Sequence, residues 1–373
     1  MPKVVYIDPM SASNLALYDY NLLSRLDADI VYCCSIHYDN QVIPSIRYEH
    51  IFRYNHKRNP ITKFLSYGMS MIKLITIIKE TRPDVVHVQW WKSWLIDYPA
   101  LLLYKRYASK VVYTAHNVLP HNTKGRAIEI KCRKYYRHVD KIIVHAEKTK
   151  IELMDQFGIK ERKIAVVPHG ILEFKFNKAT IDEMEEKLAQ RYKLDGKLVF
   201  SALGRQSYYK GTDIIIRAWL SSKQLCNSDD VVLLIVGKGN VAKELVPSTV
   251  RNIIYEDSFV TPEEFEAYLR LSDVLLLPYR KISQSGVMLT AISRHIPFVV
   301  TDVGGLAEPL TVEKVGWSIK RPDVHELQYM MEFLYRHPSE IDAVKKDKKA
   351  WGCVSAIYGW DNAAKLTMEC YNE

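Results

Sequence analysis

Residues 197–212 read KLVFSALGRQSYYKGT, and this stretch decides the fold class. The apolar run 197–203 predicts a buried strand, the loop after it contains Gly204 and Gly211, and helical sequence begins near Thr212. Strand, loop and helix start form the repeating unit of a parallel sheet covered by helices. The same junction can bind an anion, because free backbone N–H groups and the helix dipole point at one place.

The loop also carries Arg205 and Lys210, which could bring two positive charges to a diphosphate, while Gly204 and Gly211 permit close backbone approach. The loop matches neither the Walker pattern nor G-x-G-x-x-G. A surface turn with two solvated bases therefore remains an alternative at this point.

Similar apolar runs alternate with helical segments along nearly the whole chain, which predicts two series of strands. The first series is 3–8, 29–33, 84–88, 110–115, 140–145 and 163–168, and the second is 197–203, 230–236, 252–255, 273–278, 297–301 and 316–319.

These two series, in a chain of 373 residues, predict two tandem doubly wound α/β domains. We expect an N-terminal domain of residues 1–170 and a C-terminal domain of residues 171–355. The boundary is expected near 168–174, before a charged stretch at 173–195. The last segment, 356–373, reads as a helix that packs back onto the N-terminal domain.

A second candidate anion site follows the predicted strand 273–278. Ser285 is a plausible N-cap, and Gly286 would let a phosphate or sugar approach the N–H groups of the next helix. Both junctions lie at carboxyl ends of strands, where open α/β sheets bind ligands. The alternative is that Ser285 and Gly286 only cap the helix.

Two further candidates follow strands. Gly237 begins a Gly-x-Gly turn that is too short for a dinucleotide signature, and we interpret it as a tight turn lining a nucleotide pocket. His116 ends a strand and could hydrogen-bond a ligand or shuttle a proton. It could equally be structural, because His87, His145 and His169 also end strands.

The net charge of +9 is concentrated in residues 1–168, which hold 26 Lys and Arg against 15 Asp and Glu. No recognition-helix, zinc-finger or RNP-type signature accompanies it, so we expect no nucleic-acid partner. The segment 61–79 predicts an amphipathic helix rather than a membrane span, within a basic stretch. Peripheral docking on an anionic membrane is therefore predicted, the alternative being a core-facing helix with a solvated basic rim.

The six cysteines show neither C-x-x-C nor zinc-ligand spacing, and the N-terminus lacks a signal-peptide pattern. We therefore expect a reducing, cytoplasmic location, peripheral on the inner face of the membrane.

Several blocks, in their order and spacing, resemble the retaining glycosyltransferases of family 4. These blocks are Gly204-Arg205 with Lys210-Gly211, then 272–278 (SDVLLLP), 297–302 (PFVVTD) and 304–308 (GGLAE), together with His116, 168–170 (PHG) and 358–361 (YGWD). The resemblance implies the GT-B fold, two Rossmann-like domains with a deep interdomain cleft. It also implies that the C-terminal domain binds a nucleotide diphosphate sugar and the N-terminal domain binds the acceptor.

Carried onto this chain, the resemblance implies that Arg205 and Lys210 neutralise the departing diphosphate and that Gly286 offers backbone N–H groups. His116 would lie against the transferred sugar. Fixed cations at the leaving phosphate lower the barrier most, since charge develops there. No metal or other cofactor is expected, because Arg205 and Lys210 would supply the positive charge.

One departure from the family concerns two glutamates eight positions apart, where this chain has Ile282 and Thr290. Gln284 or Ser285 is expected to contact the donor sugar instead, and Thr290 to hydrogen-bond a ribose hydroxyl.

The predicted activity is transfer of a sugar, from a UDP-sugar rather than a GDP-sugar, to a saccharide or polyprenyl-linked acceptor in surface polysaccharide biosynthesis. Two alternatives stay open: a sugar-nucleotide epimerase or hydrolase, and a non-catalytic scaffold that binds nucleotide sugar.

Overall fold

The structure is a computed structural model that describes residues 1–53, 59–119, 125–172, 174 and 176–373. The chain forms two compact units, which are described separately: unit 1 is Met1–Gly170 with Gly359–Glu373, and unit 2 is Ile171–Tyr358. The chain therefore returns to unit 1 a few residues after the predicted limit at 355. Five charged residues lie outside the described residues, some of them in the predicted basic stretch around 61–79 and the charged stretch 173–195: Lys57, Arg58, Lys124, Glu173 and Lys175.

The helices flank two sheets. In chain order they are α1 (Asn14–Leu23), α2 (Pro60–Thr81), α3 (Trp94–Tyr107), α4 (Arg126–His138), α5 (Glu147–Phe157), α6 (Lys178–Tyr192), α7 (Thr212–Ser221), α8 (Lys223–Cys226), α9 (Pro262–Arg270), α10 (Gly286–Arg294), α11 (Pro309–Val312), α12 (Val324–Arg336), α13 (Pro338–Lys346), α14 (Lys348–Ile357) and α15 (Trp360–Asn372).

Unit 1 is built on a parallel sheet of seven strands. They are β1 (Lys3–Ile7), β2 (Asp29–Ser35), β3 (Arg47–Phe52), β4 (Val85–Val88), β5 (Lys110–Thr114), β6 (Lys141–Val144) and β7 (Ile164–Val166). Their order is β3-β2-β1-β4-β5-β6-β7. Along the chain, strands β1 to β3 are added outward on one side of the sheet and strands β4 to β7 outward on the other side. The loops after β1 and β4 therefore meet at a topological switch point.

Unit 2 repeats this plan with a parallel sheet of six strands. They are β8 (Leu198–Leu203), β9 (Val231–Val236), β10 (Ile253–Glu256), β11 (Val274–Leu277), β12 (Phe298–Thr301) and β13 (Gly316–Ile319). Their order is β10-β9-β8-β11-β12-β13, which places the switch point at β8 and β11.

Both faces of each sheet are buried, as the alternation within a central strand shows. In β1, Val5 and Ile7 join one apolar cluster, whereas Val4 and Tyr6 join the cluster on the opposite face. Side chains of a strand alternate between faces, so a sheet covered on both sides needs apolar residues at every position.

The predicted fold class, two doubly wound parallel α/β domains, is confirmed by the two sheets. The prediction missed one strand, β3, whose sequence RYEHIF has polar residues at its first four positions. β3 lies at the edge of its sheet and pairs only with β2. An edge position relaxes the requirement for a continuous apolar run, which explains the missing signal.

The C-terminal helix α15 belongs to unit 1, where Trp360 and Tyr371 are buried in the same cluster as β1. Trp360 also contacts the backbone at Gly170: a Cβ built on Gly170 would lie 2.1 Å from the indole carbons Cδ2 and Cε2. Beside this contact, the Ile171 N–H donates to the Tyr358 carbonyl at 2.9 Å within unit 2. The absence of a side chain at Gly170 therefore allows α15 to dock.

We expect Gly170→Ala to lower the free energy of unfolding of unit 1 by about 1–3 kcal/mol, because overpacking must displace the Trp360 ring. Urea unfolding measures the effect. The matched control is Gly68→Ala in α2, where nothing lies within 4 Å of the built Cβ. There we expect a gain of about 0.5–1 kcal/mol. Equal stability of Gly170→Ala and the wild type would contradict this packing.

Candidate active site

The two junctions singled out in the C-terminal half follow adjacent strands, β8 and β11. Because these strands form the switch point of unit 2, the loops 204–211 and 278–285 leave one edge of the sheet side by side. The topology therefore brings together the two predicted anion sites, which no single motif could establish.

Gly204 and Gly237 bring two of the loops into direct backbone contact. The Gly204 N–H donates to the Val236 carbonyl at 2.9 Å, and a Cβ built on Gly237 would lie 2.1 Å from the Gly204 carbonyl oxygen. Gly237 has φ +137°, which residues with side chains rarely adopt. Only glycine therefore fits at position 237, and the turn after β9 closes one side of the site.

Lys210 lies over the Gly204 backbone. Its Nζ would be 3.5 Å from a Cβ built on Gly204, and it lies 5.6 Å from the centre of the Tyr279 ring. Gly211 is the N-cap of α7 and packs so closely on the Pro278 carbonyl that a Cβ built on it would lie 2.3 Å from the carbonyl oxygen. The Lys210 amine is therefore held between the two loops.

Burial, followed by the positive charge of Arg205, lowers the pKa of Lys210 from its usual value to about 8. Arg205 itself is exposed. A half-buried ammonium beside a second cation gains from a bound anion, which relieves both effects. The pair is therefore suited to a diphosphate.

Gln206 holds the loop after β8 from inside the domain. Its Nε2 donates to the carbonyls of Gly204 (2.6 Å) and Ala202 (3.1 Å), and its Oε1 accepts from the Thr212 hydroxyl at 2.9 Å. A buried amide with several partners fixes the loop in one conformation. The sequence analysis missed Gln206, since nothing in its local pattern distinguishes it from a solvated glutamine.

Arg280 ties the two loops to each other. Its guanidinium binds both carboxylate oxygens of Asp213 at 2.7 Å, and it stacks 3.8 Å from the centre of the Tyr208 ring. Its backbone N–H donates to the Tyr209 carbonyl at 2.7 Å. A bidentate, stacked arginine is a rigid connection, so Arg280 positions the segment that carries Lys210.

The second junction offers donors without partners. Ser285 caps α10, its hydroxyl accepting from the Met288 N–H at 3.4 Å, and its own N–H donates to Gln284 Oε1 at 3.1 Å. Within the described part of the chain, Gln284 Nε2 and the Tyr279 hydroxyl are buried and no hydrogen-bond partner lies near them. Unsatisfied buried polar groups are costly, and a bound ligand can satisfy them.

Gly286 is exposed at the start of α10, as predicted for a residue that offers its backbone to a ligand. Thr290 differs from the prediction. It is only 2% exposed, and its hydroxyl donates to the Gly286 carbonyl at 2.9 Å. Direct contact with a ribose is not supported, since the hydroxyl points into the helix backbone rather than to the surface.

His116, in unit 1, has both ring nitrogens engaged. Its Nδ1 lies 3.1 Å from His145 Nε2, and its Nε2 lies 2.7 Å from Gln89 Oε1. His145 Nδ1 must carry a proton, because it contacts the Val167 carbonyl at 2.9 Å. His116 Nε2 donates to the Gln89 oxygen, which can only accept.

Burial, and then the neighbouring histidines, lower the pKa of His116 well below its usual value, so its ring is neutral at pH 7. The Trp90 ring stacks on it at 4.5 Å. The proton-shuttle role considered for His116 is not supported, because no ring nitrogen is available without breaking this network. The sequence pattern identified the residue but could not show its partners.

The two sheets define the fold, the GT-B arrangement of two doubly wound domains, and the family models define the class of protein, a glycosyltransferase. The chain matches the family model Glycosyltransferase Family 4 over residues 20–171 and the model Glycosyl transferases group 1 over residues 197–337. It belongs to glycosyltransferase family 4.

Curated relatives are distant but extend over most of the chain. D-inositol 3-phosphate glycosyltransferase from Pseudarthrobacter chlorophenolicus is 24% identical over 324 residues, covering 81% of this chain and 74% of the relative. Glycogen synthase from Mycobacterium tuberculosis is also 24% identical over 324 residues, covering 82% of this chain and 74% of the relative.

Solved structures show the same fold at low identity. Sucrose-phosphate synthase from Thermosynechococcus elongatus has a TM-score of 0.73 at 14% identity, covering 100% of this chain and 98% of that one. Anabaena HepE in complex with UDP-glucose has a TM-score of 0.72 at 16% identity, covering 100% of both chains.

We expect Lys210 to be half-protonated near pH 8 in the ligand-free protein, and Arg205→Gln to raise its pKa, because the exposed guanidinium repels the ammonium. The pH dependence of acetic anhydride labelling, read by mass spectrometry, measures this, with the exposed Lys223 as internal reference. A Lys210 titration that Arg205→Gln leaves unchanged would mean that the two cations do not interact.

Proposed function

We propose that this glycosyltransferase moves a sugar from a nucleotide diphosphate sugar, with UDP as the nucleotide, to a saccharide or lipid-linked acceptor in surface polysaccharide biosynthesis. The single observation that carries the proposal is the convergence of the half-buried Lys210, the N-terminus of α10 and the unpartnered Gln284 amide at one switch point. Cations, backbone N–H groups and a free amide donor are complementary to a diphosphate and a sugar hydroxyl.

In this proposal each group has a defined part. Arg205 and Lys210 neutralise the diphosphate, Gly286 and its neighbours donate backbone N–H groups, and Gln284 binds a sugar hydroxyl. Gly204, Gly211 and Gly237 let the backbone approach the nucleotide. The contact of His116 with the transferred sugar stays a prediction.

The reaction breaks the bond between the anomeric carbon and the β-phosphate oxygen and forms a bond from that carbon to the acceptor oxygen on the same face. The acceptor proton passes to the leaving phosphate oxygen. Charge develops on that oxygen as the bond breaks, so cations fixed beside it stabilise the transition state more than the ground state.

We further propose that the reaction needs no metal ion. Lys210 and Arg205 supply two positive charges where a divalent cation acts in other transferases.

The choice of UDP is supported by a structural relative, Anabaena HepE, which was solved with UDP-glucose. We expect UDP-sugars to raise the melting temperature of the protein more than GDP-sugars, because a ligand that binds only the folded state stabilises it by mass action.

Lys210→Met is expected to lower kcat/KM at least about 100-fold, since a fixed charge at a developing oxyanion contributes a few kcal/mol. UDP release, measured with and without added lipid-linked saccharide, is the assay, and EDTA should leave the rate unchanged. The matched control is Lys223→Met in α8. This helix precedes β9 and so lies at the amino ends of the strands, away from the loops that follow their carboxyl ends.

The outcomes separate the alternatives. UDP release that needs no acceptor would indicate a hydrolase. Interconversion of donor sugars would indicate an epimerase, and binding of the nucleotide sugar without turnover would indicate a scaffold. Loss of activity in EDTA, restored by a divalent cation, would overturn the metal-independent mechanism.

We also propose peripheral docking of unit 1 on the cytoplasmic face of an anionic membrane through α2. By length and composition α2 is the one described helix that could cross a bilayer, yet Leu74 and Ile78 are fully buried in the core of unit 1. Its other face is apolar and exposed: Ile61 (68%), Phe64 (46%), Leu65 (61%), Met69 (73%) and Ile72 (68%). Such a helix is suited to lie in the membrane interface.

We expect binding to anionic vesicles that falls steeply with salt, because the bases around α2 contribute an electrostatic attraction that salt screens. Leu65→Ser with Met69→Ser should weaken it, as measured by vesicle sedimentation. Ile151→Ser, at an exposed apolar position of α5, is the matched control. Equal binding to neutral vesicles, or binding to neither kind, would argue against this docking.

A further inference from the structure

A cavity of about 200 Å³ lies in unit 1, at a place that the proposed chemistry does not yet use. It is lined by Pro9, which follows β1, by Lys92 and Ser93, which follow β4, and by residues of α2. These loops belong to the switch point of the first sheet, where open α/β sheets bind ligands. The cavity in unit 1 thus lies at the place that corresponds to loops 204–211 and 278–285 in unit 2.

The wall of the cavity is held in place by Asp97, a buried residue in the first turn of α3. One of its carboxylate oxygens accepts from the backbone N–H groups of Ser93 (2.7 Å) and Lys92 (3.1 Å). The other accepts from the Tyr67 hydroxyl of α2 at 2.6 Å. The loop after β4 and α2 are therefore tied together, and the cavity does not depend on a ligand for its shape.

The lining combines apolar side chains with cations. The surface of the cavity is almost entirely apolar, with Phe52, Phe64 and Pro9 among the residues that line it, and three basic residues also line it: Arg53, Lys63 and Lys92. The acidic groups that face Lys92 are Asp8 and Asp97. Asp97 already accepts three hydrogen bonds, and Asp8 accepts from the Met10 N–H at 2.6 Å. Burial lowers the pKa of Lys92 to about 8 in spite of these two carboxylates, so a bound anion would stabilise its charged form.

The apolar lining continues outside the cavity. Phe64 both lines it and is 46% exposed, and the exposed residues Leu65 and Met69 follow along the same helix. A ligand that joins an anion to an apolar chain would place its charged end among the bases and its chain along α2. A soluble sugar or a free phosphate would leave that apolar surface in water, which is unfavourable.

We propose that this cavity binds the acceptor at the junction of its phosphate and its isoprenoid chain, with Lys63, Lys92 and Arg53 on the phosphate. The acceptor class is thus a polyprenyl phosphate or diphosphate that carries the saccharide. This inference rests on the proposed transferase function and names the chemistry and residues of its acceptor site.

The test uses the full chain and farnesyl diphosphate, a soluble probe with the same junction, in isothermal titration calorimetry without membranes. Inorganic pyrophosphate and farnesol are the two reference probes. We expect farnesyl diphosphate to bind at least about tenfold more tightly than either, because only it engages both the cations and the apolar lining. Pyrophosphate that binds as tightly as farnesyl diphosphate would indicate a simple phosphate site and overturn the lipid assignment.

Variants locate the binding. Lys63→Gln and Lys92→Gln should each weaken farnesyl diphosphate binding about tenfold or more, since each removes a charge from the phosphate. Lys79→Gln, an exposed lysine in the last turn of α2, makes the same change on the same helix and should have no effect. UDP binding, at loops of unit 2, should be unchanged in all three and shows that each variant is folded.

The remaining outcomes are decisive in separate ways. Full affinity in both Lys63→Gln and Lys92→Gln would overturn the site. Farnesyl diphosphate binding that requires these lysines, in a protein that turns over no nucleotide sugar, would support the cavity and refute the transferase function. Sugar transfer to a soluble saccharide by a protein that does not bind farnesyl diphosphate would support the transferase function and refute the acceptor cavity.

Discussion

The contact between the backbones of Gly204 and Gly237 is the constraint on which the candidate site depends. It closes the turn after β9 against the loop after β8, and it leaves Lys210 room to lie over the same glycine. The neighbouring loop after β11 is joined to this arrangement by Arg280. Preorganised charge of this kind is effective because it is in place before the reaction begins.

The two units share one topology and differ in what they place at the switch point. In unit 2 the central loops present glycines, a lysine of lowered pKa and a helix N-terminus, which are complementary to a diphosphate. In unit 1 the corresponding loops line an apolar cavity, which basic residues also line, beside a helix that exposes apolar side chains. The proposed division of labour, donor in one unit and lipid-linked acceptor in the other, follows from these two lining chemistries.

Most of the fold could be predicted from the sequence, because parallel strands buried on both faces are apolar throughout and glycines mark the loops between elements. The polar edge strand β3 escaped this pattern. The roles of Gln206 and Arg280 could not be predicted, since each acts through partners that are brought close only by folding. The same holds for Thr290 and His116, whose residue types suit a ligand but whose hydrogen bonds are made within the protein. The sequence predicts which loops bind ligands, whereas the hydrogen bonds of individual side chains could be known only from the structure.

The central claim is that the Lys210 ammonium binds the diphosphate, and proton uptake on binding tests it most directly. Titration of UDP at about pH 8.5, in buffers of different ionisation enthalpy, should show net proton uptake, because a lysine of pKa about 8 is partly neutral there and is recharged by the anion. Lys210→Arg should bind UDP without this uptake. Uptake that is absent in the wild type, or equal in Lys210→Arg, would contradict the account.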